Sequence, residues 1–482
     1  MDNLIAYSWA AAGSPYWVIS FFFVAAAMFS YKSIYACFAA KFQRLRYLVA
    51  GPQIIDQAYA ASPGRAFKVA TPSNNHLLVT SSELIKEVLD APTHLLSLHA
   101  VAKELLQPKY TMYGFEWQEQ RGVEGTGFVR ALRSKLTSHL PKFHPELDRM
   151  IKSCLLEELS TPDDDGKYHI FPDLFPMIKR IITKVNCLVF FGEELSENTE
   201  FTTAALEFPQ TVVLTAELLR VTPGFMRPLV AWIVTRRHGS AKVLFRYLEP
   251  EVSRRRSEMA QQDELGIRPK PMAVDCMQWL IDTSPRKNPW STPRLIGEIL
   301  AIWFSSVHQL AMTTTYVIED LCQHSEYIEP LKSEMQEAAK HGMSLEVVEG
   351  YLPLLDSFVK ESIRFSNADA CKSTPGTPAS LTSTKLRFVP TVSCRRKALC
   401  DVVLKDGSRI EKNDWVCIPQ RAMMCDALRY SNAHAFDGYR FARANAALRQ
   451  GKTTADVPDK SPSTVTSPSI DWPIWGLGTA IW

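Results

Sequence analysis

Glu361 and Arg364 lie three positions apart in the segment LPLLDSFVKESIRFS. Three residues make nearly one helical turn, so both side chains fall on one face of a helix. On a surface such a pair is a weak ion pair. Here Leu352, Leu355, Phe358, Val359, Ile363 and Phe365 surround it, and the pair is expected to be buried. Downstream, AFDGYRF places Arg440 between Tyr439 and Phe441. A buried carboxylate held by two guanidiniums leaves no charge without a partner, and the planar arginine fork suits that arrangement. Glu361, Arg364 and Arg440 are therefore expected to form one buried ion cluster.

A second group interrupts an apolar stretch. In STPRLIGEILAIWFSSVHQLAMTTTYVIEDLC, Ser291 or Thr292 can cap a helix that carries Pro293 in its first turn. The middle is apolar on nearly all sides, which predicts a central, buried helix. Ser305, Ser306, His308 and Gln309 break that surface. Buried polar groups need partners, so this notch predicts a cavity wall. A third group, WPIWGLGTAIW, puts Gly476 and Gly478 in a tight apolar turn after Trp475.

The elements that must carry these residues follow from composition and pattern. Hydrophobic residues make up 46% and charged residues 22%, an ordinary globular balance. Lys and Arg number 54 against 51 Asp and Glu, a formal charge of +3, which argues against a nucleic-acid partner. None of the ten cysteines is spaced C-x-x-C, so a zinc ribbon or thioredoxin-type motif is not expected. Scattered cysteines in a long chain read as reduced, mostly buried thiols of a cytosol-facing body. From Asn3 to Tyr31 no residue is charged, and Lys32, Lys41, Arg44 and Arg46 follow. Residues 1–31 are expected to be a transmembrane anchor, with the body, 32–482, in the cytosol.

Within the body, FKVA and HLLVT flank Pro-Ser-Asn-Asn and predict two strands within 64–92, followed by a helix that Ser82 can cap. From about 125 to 340 the pattern is helical. Short β-type runs resume at 393, with Asp406-Gly407 as a hairpin turn. The fold class is mainly α with a small β region.

Anchor, long central helix, E-x-x-R helix, aromatic-Arg-Phe loop and a late W-G-x-G turn, in that order, resemble a fungal microsomal cytochrome P450 over nearly the whole chain. The resemblance implies that fold and a haem cofactor. Glu361, Arg364 and Arg440 become the structural cluster behind the haem, and Trp475, Gly476 and Gly478 the start of the haem loop. Ser305 and Ser306 match the central-helix notch. His308 and Gln309 occupy the places of the family's acid and threonine, which deliver protons to bound oxygen. Histidine can shuttle protons near neutral pH, or it can simply hydrogen-bond in the core; glutamine can orient water. The implied activity is O₂- and NADPH-dependent oxidation of a hydrophobic, terpenoid-like intermediate of secondary metabolism. Electrons would come from NADPH-cytochrome P450 reductase, at the endoplasmic reticulum membrane.

Besides His308 and Gln309, two further places depart from the family. Its haem loop reads F-G-x-G-x-x-x-C, and counting from Trp475 places Trp482 in the cysteine position, with no cysteine after Cys425. The chain therefore reads as C-terminally truncated at the haem loop, and an inactive remnant or mispredicted gene product is the alternative expectation. Residues 371–392, rich in Ser, Thr and Pro, read as an insertion, either a long loop or an unspliced intron whose removal keeps the frame.

Overall fold

The polar turn after FKVA folds Phe67–Ala70 (β1) back on Asn75–Leu78 (β2), antiparallel, with Phe67 opposite Leu78. The Thr71 hydroxyl closes the turn by donating to the Asn74 carbonyl at 2.8 Å. The computed structural model describes residues 50–116, 135–160, 173–265, 274–285, 289–341, 352–369 and 392–476, together with a few positions at 44–47 and 119–124. The expected anchor, residues 371–391, Gly478 and Trp482 lie outside the described residues.

Along the chain come Ser82–Asp90 (α1), Leu96–Ser97 (β3), Leu98–Leu106 (α2), Thr137–Ser160 (α3), Leu174–Phe191 (α4), Thr199–Val221 (α5), Arg227–Val234 (α6) and Gly239–Leu265 (α7). Ser81, rather than the expected Ser82, caps α1, its hydroxyl accepting from the Leu84 N–H. Ser81 has the extended backbone of an N-cap, whereas Ser82 already lies in the helix. Thr292–Gln323 (α8) is the expected central helix, capped by Ser291. Ile328–Lys340 (α9) and Pro353–Asp369 (α10) follow. Then come Ser393–Ala398 (β4), Val402–Val403 (β5), Arg409–Ile410 (β6), Trp415–Ile418 (β7) and Arg440–Arg449 (α11).

The main sheet runs β1-β2-β7-β4-β3, with β2 and β7 parallel and the other neighbours antiparallel. β5 and β6 form the hairpin expected at Asp406-Gly407, with Gly407 in the left-handed region. The fold is thus mainly helical with a small β region.

α8 packs against α4, α5, α7 and α10. Trp303, at its middle, is fully buried; its indole N–H donates to the Ala205 carbonyl at 2.9 Å, and its ring meets Phe190 and Phe191. Burial of so large an apolar surface, with its one donor satisfied, fixes the helix in the core. Among the described residues α8 is the one helix long and apolar enough to cross a membrane, and over half of that stretch is buried in the protein.

Candidate functional site

α10 gathers the site because three of its faces are used. Glu361 and Arg364 are completely buried. Arg364 donates from Nε and Nη2 to the two Glu361 oxygens, each at 2.8 Å. Arg440, the first residue of α11, reaches the same carboxylate from Nε at 3.1 and 3.2 Å. The Asp437 N–H adds a fourth donor, and a fifth hydrogen bond, at 3.0 Å. The remaining guanidinium N–H groups go to main-chain carbonyls: Arg364 to Met424 and Ala433 at 2.8 Å, Arg440 to Ser431 and Ala435. No charge in the cluster is left unmatched, which is the condition for burying one.

Gly438 shows how closely the loop before Arg440 is fitted. A Cβ there would stand 2.8 Å from the rings of both Phe358 and Tyr327, and its N–H donates to the Tyr327 hydroxyl. Ser357 bridges the same loop to α10, donating to the Gly438 carbonyl at 2.8 Å and accepting from the Ala442 N–H.

A second face of α10 holds the chain that leads to Trp475. Lys360 is fully buried, its ammonium 4.5 Å from the Phe441 ring centroid and 4.9 Å from that of Trp472. It donates to Ser463 Oγ at 2.7 Å and lies 3.6 Å from Asp459; burial pushes its amine below the usual range. Asp356 accepts from the Val465 N–H at 3.0 Å, and the Val465 carbonyl accepts from the Trp475 indole at 2.6 Å. Gly476 follows with φ 80°, in the region that favours glycine. One helix therefore positions both the ion cluster and the turn at 475–476.

The third face meets α8. Ser366 donates to both oxygens of Asp320, each at 2.7 Å, and burial pushes the Asp320 carboxyl up to about 6. Upstream in α8, Ser305 and Ser306 donate back to the carbonyls of Ile302 and Trp303, bonds that compete with the helix's own. Asn186 of α4 donates to the Ser306 carbonyl at 3.2 Å. His308 is half-buried, edge-on to Phe175 at 5.9 Å; burial, then the Lys179 cation, lower its pKa and keep it neutral at pH 7. Gln309 is exposed. Consecutive helical residues point about 100° apart, so the two side chains leave α8 in different directions.

Sequence reasoning missed Lys360, Asp437, Gly438, Asn186 and Arg396. Only Lys360 had a local signal, as the charged neighbour of Glu361 within an apolar segment. Arg396 of β4 is buried, donates to the Arg395 carbonyl at 3.0 Å, and meets no carboxylate within ion-pair distance among the described residues. Such an unmatched guanidinium suits an anionic group. The described cysteines form no disulfide, and no three His, Cys, Asp or Glu residues among the described residues are grouped to hold a metal ion.

Comparison with known proteins places this geometry. A cytochrome P450 monooxygenase of Emericella nidulans is 27% identical over 80% of this chain and 66% of its own length. Another, of Penicillium canescens, is 28% identical over 78% of this chain and 65% of its own length. The chain thus spans just under two thirds of the length of these relatives. The solved haem domain of cytochrome P450DA superimposes with a TM-score of 0.60 over 91% of this chain and 84% of that one, at 12% identity, a likeness of fold. The cytochrome P450 family model matches residues 45–370. With well over half of its length matched, on a fold whose E-x-x-R helix carries a fully bonded ion cluster, the chain belongs to the cytochrome P450 family.

Proposed function

We propose that the protein serves as a haem monooxygenase, placing one atom of O₂ in a hydrophobic, terpenoid-like molecule and releasing the other as water. Electrons come from NADPH through a flavin reductase. The observation that carries this reading is the buried Glu361 cluster on α10, the helix whose Asp356 also holds, through Val465, the turn at Trp475 and Gly476. Haem, when bound, supplies the oxygen chemistry. Arg396 fits one of its carboxylates, because that buried guanidinium has no acid partner among the described residues. Counting the family's haem-loop pattern from Trp475 puts the thiolate that gives its push for O–O cleavage at position 482, a tryptophan in this sequence. Buried Cys417 cannot substitute: it lies on β7, and burial pushes its thiol up to about 12. Gln309 and His308 remain the proposed residues for water and proton positioning on α8.

The mismatch at Trp482 favours a second reading, a product that holds no haem stably. Sequencing reverse-transcribed mRNA and expressing the encoded protein with its reductase decides between them. The expected result is a cysteine codon at position 482, a thiolate-type carbon monoxide difference band and NADPH-dependent oxidation. Transcripts encoding Trp482, with no such band, would refute the monooxygenase reading for this chain. The same transcripts decide whether residues 371–392 are coding.

The membrane placement is also proposed. Besides the uncharged N-terminal run, the end of α5, the connection that follows and α6 expose Val221 (77%), Phe225 (85%), Leu229, Trp232 and Ile233, next to Arg220, Arg236 and Arg237. An apolar patch rimmed by cations suits an anionic lipid surface. Protease added to intact microsomes is expected to digest the body beyond Lys32; complete protection of the body would reverse the orientation.

A further inference from the structure

A cavity of about 670 Å³ opens between the β1–β2 turn, α2 and the α5–α6 connection. That volume is in the range of small-molecule sites. Its wall is mixed: Phe115, Trp415 and Val221 are apolar, while Arg220 and Arg227 bring positive charge. Phe115 also rests on Gly297 of α8, where a Cβ would come within 2.6 Å of the ring. The inner wall is therefore packed directly on the central helix.

The charges of the wall are not all committed. Glu104 accepts from Lys397 at 2.8 Å, and Glu116 lies 3.6 Å from Lys109. Arg220 donates to Glu217 at 3.0 Å. Arg227 differs. Its Nε donates to the Thr222 carbonyl at 3.3 Å, and among the described residues no carboxylate lies within ion-pair distance of it. Two wall residues also carry buried polar atoms without a partner, the Trp415 indole N–H and the Gln107 carbonyl oxygen Oε1. Buried polar groups are normally paired, so a donor and an acceptor left over in one wall point to a missing ligand. Behind Trp415, the His76 imidazole stacks at 5.0 Å. Burial, then Arg395 and Arg220, push His76 down to about 3, so it is neutral and the local field is that of the arginines.

We propose that this cavity receives an amphipathic acid, its carboxylate on the Arg227 guanidinium, its apolar body against Phe115 and Trp415, and a polar oxygen of that body at the Trp415 N–H. Naming the occupant a substrate rests on the monooxygenase reading; the binding itself does not. A neutral hydrocarbon leaves Arg227 and the Trp415 N–H without partners, which is the physical reason to favour an acid.

Calorimetric titration of the full chain with decanoate and with 1-decanol, at pH 8 and low salt, tests the acid requirement. Decanoate is expected to bind roughly tenfold tighter, the ratio that about 1.4 kcal/mol produces. Arg227→Gln should remove that difference while leaving decanol binding as it was. Trp415→Phe, which keeps an aromatic side chain in the wall but removes the indole and its donor, should keep the preference for decanoate over decanol. Equal affinities in the parent, binding of neither probe, or a preference that survives Arg227→Gln would each overturn the proposal. An Arg227→Gln variant that loses binding to phosphatidylglycerol vesicles yet keeps the decanoate preference assigns the arginine to lipid phosphate, which also overturns it. A failed carbon monoxide spectrum leaves these titrations intact, so the two readings fail separately.

Discussion

Glu361→Ala is expected to abolish folded, soluble protein. The substitution leaves Arg364 and Arg440 buried at 0% and 1% exposure with no counter-charge. Breaking a buried pair by removing one partner costs about 3–5 kcal/mol, against a total stability of about 5–15 kcal/mol for a typical domain. Two guanidiniums are stranded here instead of one, so the upper end of that range applies. The main-chain carbonyls of Met424, Ala433 and Ser431 already accept from Arg364 and Arg440, and a neutral carbonyl supplies no counter-charge to replace the carboxylate. Arg443→Ala is the control. Its pair with Asp437 is half exposed and should cost no more than about 1 kcal/mol. Thermal melting of the two variants separates a buried cluster from a surface one. A Glu361→Ala protein that melts with the parent would mean that the cluster is not what holds α10 to α11.

The second large effect is on pH dependence. Glu298 and Asp320, both on α8, are buried at 3% and 5% exposure. Burial pushes the Glu298 carboxyl up to about 7, opposed by Arg294, whose Nε is 4.0 Å away. Burial likewise pushes Asp320 up to about 6. In the unfolded chain both return to the ordinary range near 4. The native state therefore binds these protons more tightly than the unfolded state does, and stability falls as pH rises through the two native values. Their contribution is complete below about pH 4 and gone above about pH 7. Each pKa unit corresponds to 1.36 kcal/mol, so each group contributes about 2–3 kcal/mol over that window. Urea unfolding at pH 4.5 and at pH 7.5 should show the Glu298→Gln/Asp320→Asn protein losing about 4–5 kcal/mol less than the parent on going to the higher pH. Asp437, held low by its hydrogen bonds to Arg443, titrates in the opposite sense in both proteins and cancels in the difference. Parallel pH profiles would show that neither carboxyl holds its proton in the fold.

What the sequence determined by itself is local or periodic. The apolar run around Trp303 fixed α8 and narrowed its cap to Ser291 or Thr292, because a helix repeats every few residues and its cap must sit next to it; the backbone chose Ser291. FKVA and the hairpin turn at Asp406-Gly407 were legible for the same reason. The spacing of Glu361 and Arg364 is a helical spacing, and their apolar flanks foretold burial. Arg440 could be proposed as a partner from its residue type alone, since a buried carboxylate needs matching charge.

The tertiary structure decided everything that depends on where distant segments meet. No local pattern places Val465 over Asp356, or the rings of Phe441 and Trp472 around Lys360. Nothing within AFDGYRF shows that residue 438 lies between Phe358 and Tyr327, where any side chain larger than hydrogen collides. His308 was legible as a polar break in an apolar helix, but its direction depends on α4, which brings Phe175 and Lys179 to that face. Nothing in the local sequence distinguishes Arg396 or Arg227 from the other cations. Only packing shows that one is buried without an acid and that the other faces a cavity. A residue type states which interactions are possible; the desolvation that makes them strong, and the partner that satisfies them, come from segments far apart in the chain and exist only once it has closed on itself.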